Sequence, residues 1–233
     1  MKKLVLVAVL LGLVMGSASA IVIDPFESGQ FDFIVDVNAP NWMEGTQTGA
    51  DILGGERYVL LSNVADAVPP VTGTKRANAR VPAPDPGENN VLTWANEPEV
   101  TSSLCLVYGK DDALNANMSE DIAVIVYIAH ADPSAIGSEM EVKLTSGVNE
   151  LLPVSATVVK SIFGKGKYFY LFDDFTGVSQ SDIDTIEITL HNEDHPSADV
   201  DIDMIESGVP EPATLALLGV GLLGLARRRR RRK

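Results

Sequence analysis

Thr185-Ile186-Glu187-Ile188-Thr189-Leu190 and, after a short interval, Asp199-Val200-Asp201-Ile202-Asp203-Met204 decide the fold. In each stretch every second residue is apolar and the residues between are polar or charged. Side chains of a strand point alternately to opposite faces, so this spacing marks half-buried antiparallel strands. Working outward, Met140 to Thr145 alternates in the same way. Tyr58–Leu61, Val91–Trp94, Leu104–Tyr108, Ile122–Ala129, Val154–Val159 and Lys167–Phe172 are short and rich in β-formers. Turn residues separate them: Ser28-Gly29, Gly54-Gly55, Gly109-Lys110-Asp111-Asp112, Asp132-Pro133 and Gly164-Lys165-Gly166. No stretch between residues 21 and 208 keeps a long helical period. Many short strands with regular punctuation predict an all-β chain built as one β-sandwich over residues 21–208.

One stretch departs from this pattern. Residues 68–90 hold Pro69, Pro70, Pro82, Pro84 and Pro86. Proline cannot donate to a strand ladder, so the segment reads as a long Pro-rich loop without a central strand. It carries Lys75, Arg76 and Arg80.

The chain has 233 residues and a formal net charge of −14. Half of its 18 Lys and Arg lie at the two ends. Residues 21–210 hold nine Lys and Arg against 31 Asp and Glu, a net −22. That surface repels nucleic acid, which needs a basic footprint. A single cysteine, Cys105, excludes an internal disulfide and a cysteine-based zinc cluster. Placed in an apolar strand, it reads as a buried, inert thiol.

The two ends read as addresses. Lys2 and Lys3 precede an apolar run from Leu4 to Met15, and Gly16-Ser17-Ala18-Ser19-Ala20 ends in small-x-small. Residues 1–20 therefore read as a signal peptide. Ala18 and Ala20 mark the site for signal peptidase, and the mature chain begins at Ile21. At the other end, Val209-Pro210-Glu211-Pro212 precedes a charge-free run from Ala213 to Ala226. Arg227, Arg228, Arg229, Arg230, Arg231, Arg232 and Lys233 complete the chain. As a helix the run reaches about 21 Å, short of a ~30 Å hydrocarbon core, which makes it a marginal transmembrane helix. The basic cluster stays cytoplasmic by the positive-inside rule and stops transfer, leaving residues 21–208 outside.

Residues 209–233 resemble the PEP-CTERM sorting signal of exosortase-bearing bacteria: a Pro-Glu-Pro motif, a short apolar helix and a terminal arginine cluster, in that order. The resemblance implies export, a transient stay in the inner membrane, recognition by an exosortase, and sorting to the cell surface or extracellular matrix. Hosts of such signals often make exopolysaccharide and biofilm.

A second resemblance lies at the two ends of the passenger. Phe26-Glu27-Ser28-Gly29 as a first strand and Asp199-Val200-Asp201-Ile202-Asp203 as a final one are similar to the jelly-roll sandwiches of carbohydrate-binding modules. The resemblance implies a jelly-roll-like arrangement and a structural calcium between first and last strands, with Glu27 and Asp203 in the matching positions. On its own, the triple Asp199, Asp201, Asp203 fails as an EF-hand, because the sixth and twelfth places hold Met204 and Pro210. A solvent-facing acidic strand is the simpler reading of it.

Other constellations carry less. His191-Asn192-Glu193-Asp194-His195 lacks the spacing of a helical zinc site and reads as a polar hairpin loop. Trp42, Trp94, Tyr58 and Tyr108 could stack on sugars, although single aromatics in strands are usually core. There is no Gly-x-Ser-x-Gly elbow and no phosphate-cradling glycine loop. The sequence thus predicts a non-enzymatic surface or matrix protein associated with exopolysaccharide. A calcium-stabilised glycan-binding module and a secreted glycoside hydrolase are the alternatives.

Overall fold

The computed structural model describes residues 20–36, 42–63, 75–82, 90–147, 152–192 and 197–208. The signal segment, apart from Ala20, and the sorting tail with Val209, Pro210, Glu211, Pro212 and Arg227 to Arg232 lie outside these residues. No helix among the described residues is long and apolar enough to cross a membrane.

Among the described residues thirteen strands form two antiparallel sheets. In chain order they are β1 (Ile21–Asp24), β2 (Phe31–Asp36), β3 (Trp42–Thr48), β4 (Glu56–Asn63), β5 (Arg76–Val81), β6 (Leu92–Asn96) and β7 (Ser102–Tyr108). Then follow β8 (Ala123–Ala131), β9 (Glu139–Ser146), β10 (Val154–Ser161), β11 (Gly166–Leu171), β12 (Ile183–His191) and β13 (Val200–Gly208). The first sheet runs β11-β8-β13-β6-β5-β2, with β1 against β13. The second runs β10-β9-β12-β7-β4-β3. The chain crosses repeatedly between sheets, as a jelly-roll-like sandwich requires.

Alternation decides which faces meet. In β7, Ser102, Leu104, Leu106 and Tyr108 are buried while Ser103, Cys105 and Val107 face outward. In β9 and β12, Met140, Val142 and Leu144 join Ile186, Ile188 and Leu190 in the core. The first sheet answers with Leu92, Trp94, Val124, Val126, Ile128 and Tyr170. Each such side chain stabilises the fold by about 1.5–3 kcal/mol through removal from water.

β13 departs from strict alternation. One of its edges pairs with β8 throughout; the other pairs with β6 over Val200–Ile202 and with β1 over Ile205–Ser207. Register shifts flank Ile202 and Asp203. A bulge turns the following residues to the other face. Val200 and Ile202 point inward, then Ile205 and Ser207 do, and Met204 is only half-buried instead of sharing the Val200 face.

Three expectations are corrected. A strand, β5, runs inside the 68–90 segment, between β2 and β6. Its residues, Arg76-Ala77-Asn78-Ala79-Arg80-Val81, contain no proline, so the prolines bracket the strand without removing any of its donors. Phe26-Glu27-Ser28-Gly29 is not a strand but a bend after β1, with Phe26 at φ 57° and Gly29 at φ 66°. The link from β12 to β13 is not a hairpin, because the two strands belong to different sheets. Residues 193–196 of that link, His195 included, lie outside the described residues.

Candidate functional site

The bend after β1 closes over Arg57, a fully buried arginine on β4. Its Nη1 donates to Asp24 Oδ2 and its Nη2 to the Gly29 carbonyl at 2.8 Å. Phe26 and Phe31 stack on the guanidinium at 5.1 and 5.5 Å. The Asp24 carboxylate also accepts from Phe26 N–H at 2.8 Å and from the Tyr108 hydroxyl at 2.9 Å. Burial pushes the Asp24 carboxyl up from the usual range, and the guanidinium and these donors pull it back. Gly29 is required here: its φ is left-handed, and a Cβ would stand 3.2 Å from Arg57 Nη2. This cluster is structural and closed to solvent.

Glu27 is exposed in the same bend, and Asp203 is half-buried in the β13 bulge. Among the described residues no group of three His, Cys, Asp or Glu side chains is gathered to hold a metal ion. Arg57 already supplies the positive charge that faces the β1 carboxylate.

The open site lies on the outer face of the first sheet, at the other end of β13. A cleft of about 440 Å³ is lined by Ile34 of β2, Arg76 and Asn78 of β5, Ala95 and Asn96 of β6, and Glu97, Pro98 and Asp199. Strand register builds it, since Asn78 stands between Ile34 and Ala95 as their paired neighbour. One step along the sheet, Asp32, Arg80, Thr93, Asp201 and His130 form a polar row across five strands, each paired with the next.

Hydrogen bonds fix the floor. Asn96 Nδ2 donates to Ala198 O at 2.8 Å, and the backbone N–H of Asn96 donates to Asp199 Oδ1 at 3.0 Å. Ser102 Oγ donates to Asn96 Oδ1 and accepts from Trp94 Nε1 at 2.9 Å. The end of β6 is thereby fastened to the start of β13. Burial raises the Asp199 carboxyl. The Asn96 N–H and His130 lower it, and the nearby Asp132 and Asp201 raise it. Asn78 Oδ1 is buried and accepts no hydrogen bond among the described residues.

The aromatics divide. Trp94 and Tyr108 are core. Trp42, 53% exposed, and Tyr58 lie on the outer face of the second sheet, away from the cleft. The Tyr58 ring face is covered by Lys110. Cys105 faces outward on the same sheet and is only half-buried, which corrects the expectation of a core thiol. Burial there still pushes its pKa to about 11, so the thiol stays protonated and inert. His191, at the end of β12, has Nδ1 3.1 Å from Ser103 Oγ.

Comparison with known proteins adds the address. Residues 208–231 match the PEP-CTERM protein-sorting motif. The chain carries that motif. It marks the chain for export and for targeting to the cell surface by an exosortase. No curated protein matches the chain. Among solved structures, a family 11 carbohydrate-binding module from Clostridium thermocellum, in complex with a β-1,3-1,4-mixed-linked tetrasaccharide, is 13% identical. It covers 83% of this chain and 98% of its own, at a TM-score of 0.40. The non-crystalline-cellulose-specific module CBM28 is 13% identical over 56% of this chain and 81% of its own, at 0.36. The K1 adhesin domain of Lys-gingipain from Porphyromonas gingivalis W83 is 11% identical over 84% and 100%, at 0.32. Scores this low transfer no ligand.

The cleft itself was not legible in the sequence. Arg76 and Asn78 fell in the segment read as a loop, and only the register of β5 against β6 brings them to Ala95 and Asn96.

Proposed function

We propose that this chain is a non-enzymatic surface protein whose sandwich binds a neutral, hydroxyl-rich polymer, an exopolysaccharide, in the cleft beside Asp199. The cleft's lining carries the reading. Arg76, Asn78, Glu97 and Asp199 offer donors and acceptors of both signs over the floor that Asn96 fixes, and Ile34, Ala95 and Pro98 offer small apolar patches. Sugars need that mixture: hydroxyls take the polar groups and C–H faces take the apolar ones. Asn78 Oδ1 is a buried acceptor without a hydrogen-bond partner among the described residues, and a side-chain rotation would turn this amide toward a ligand hydroxyl in the cleft. A phosphate-rich ligand would meet Glu97 and Asp199, and a purely apolar one would leave the polar groups unpaired.

The same reading includes delivery. Signal peptidase removes residues 1–20, the apolar run from Ala213 to Ala226 holds the chain briefly in the inner membrane, and the exosortase acts at Val209-Pro210-Glu211-Pro212.

Gel electrophoresis through immobilised host exopolysaccharide tests the binding. The wild-type chain should be retarded, and Asn78→Ala and Arg76→Ala should each lose most of the retardation while keeping the wild-type melting temperature. Retardation unchanged in both variants would remove the cleft from the reading. Shortening of the polysaccharide that stops with Asp199→Asn would turn the protein into a hydrolase.

A further inference from the structure

Both processed ends leave the sandwich at one corner. β1 begins at Ile21 and pairs with Ser207, the penultimate residue of β13. A Cβ built on Gly208 would stand 3.3 Å from the Ala20 Cβ. Twenty residues precede Ile21 and 25 follow Gly208, and both tracts contain the chain's long apolar runs. Antiparallel pairing sends both out in the same direction.

The outer face of the first sheet changes character along β13 toward this corner. Around Asp199 and Asp201 it is polar and charged. Around Gly208, Ala123 and Leu171 pair across the sheet, and one row back Val22, Glu206, Ile125 and Phe169 do the same. Val22, Ile122 and Leu171 are 43%, 48% and 41% exposed. Ile122 N–H donates to Gly208 O at 3.1 Å, which ties this apolar group to the exit point. Glu120, Asp173 and Asp174 stand near it in the sequence and are exposed, so the group can lie against a lipid surface but not sink into it. Nine residues at about 3.3 Å each separate Asp199 from Gly208, so the cleft is some 25–30 Å from the corner.

We infer that the Ala20–Gly208 corner, with Val22, Ile122 and Leu171, is the membrane-facing pole of the uncut protein, and that the cleft is displayed at the opposite pole. The inference rests on the membrane-held stage of the sorting reading. It explains how the passenger can fold fully while still tethered, because neither tether has to cross the sandwich. Its occupant is the lipid surface itself. The net −22 of residues 21–210 and the nearby Glu120, Asp173, Asp174 and Glu206 are repelled by anionic headgroups, so it is the two tethers leaving beside Val22, Ile122 and Leu171 that bring this corner to the lipid.

The test uses the full chain, uncut, in vesicles of phosphatidylethanolamine and phosphatidylglycerol carrying nitroxide headgroups. Single cysteines are placed at Ile122→Cys, Leu171→Cys and Glu97→Cys in a Cys105→Ser background and labelled with a fluorophore. Labels at positions 122 and 171 should lose most of their emission, and the label at 97 should keep it. Equal quenching at all three, or stronger quenching at 97, overturns the orientation. Flotation of the vesicles is the separate check. A chain that fails to float with them is not membrane-held, and that result removes both the orientation and the membrane step of the sorting reading.

Discussion

Asp24 and Asp199 are two aspartates of one acidic protein, and the sandwich treats them in opposite ways. Asp24 lies under the β1 bend, wholly buried, with Arg57, Tyr108 and the Phe26 N–H arranged around it. Asp199 lies at the start of β13, half-buried, with an N–H on one oxygen and two further carboxylates nearby. Burial raises both carboxyls. Among the described residues only the first has a cation in contact. The difference separates a carboxylate used to close the fold from one left facing a cleft, and the regions should therefore respond differently to mutation, pH and metal.

The largest effect belongs to Arg57. Arg57→Ala leaves Asp24 buried without its partner, which costs about 3–5 kcal/mol. For a chain of this size that is a fall of about 10 °C in melting temperature by calorimetry. In this variant the carboxyl is held protonated far above its ordinary range. A raised folded pKa gives stability that is lost as pH rises, so the deficit against wild type should shrink in acid and widen toward neutrality. Arg57→Lys should lie between, since one ammonium cannot hold both Asp24 and the Gly29 carbonyl in a fork. A deficit below about 1 kcal/mol in Arg57→Ala would show that the bend does not depend on the ion pair.

Asp199 should behave as the reverse. Asp199→Asn keeps an oxygen to accept the Asn96 N–H and removes repulsion from Asp132 and Asp201. Its stability at pH 7 should match or exceed wild type by up to about 1 kcal/mol. The sign follows from the raised carboxyl: protonation favours the folded form, so the wild type loses stability as pH climbs from the ordinary aspartate value through the raised one. The Asn variant should be flat across that window in chemical denaturation at several pH values. A variant clearly weaker than wild type would mean that Asp199 is as structural as Asp24.

The contrast also explains what the sequence reveals and what it hides. β9 and β12 are read directly from their alternation, because one face of each meets the core along its whole length. β3 escapes notice because Trp42-Met43-Glu44-Gly45-Thr46-Gln47-Thr48 is an edge strand with only partial burial on either face. β5 is hidden by flanking prolines that never enter its ladder. The cation over Asp24 comes from a strand 33 residues away, and nothing in the spacing of Asp24 and Arg57 announces it. The Asp24 cluster depends on how the two sheets face each other and the cleft on strand pairing, and periodicity specifies neither.

The smallest expected effect concerns calcium. The resemblance to carbohydrate-binding modules implied Glu27 and Asp203 as calcium ligands between first and last strands, and β1 does pair with β13. In that bend, however, the carboxylate of Asp24 and the carbonyl of Gly29, the oxygens a cation would want, are both held by Arg57. A calcium ion would have to displace a buried guanidinium or do without either oxygen. What remains is general screening of a surface with a net −22, which any divalent cation supplies. Calcium and magnesium at equal ionic strength should therefore raise the melting temperature alike, by the equivalent of a few tenths of a kcal/mol. Chelation should reverse both shifts, and Asp203→Asn should leave them unchanged. A shift that calcium produces and magnesium does not, and that Asp203→Asn abolishes, would break the comparison. It would mean that β13 keeps a metal site as well as the arginine-closed bend, and that the acidic strand serves the fold at Asp203 as Asp24 does at Arg57.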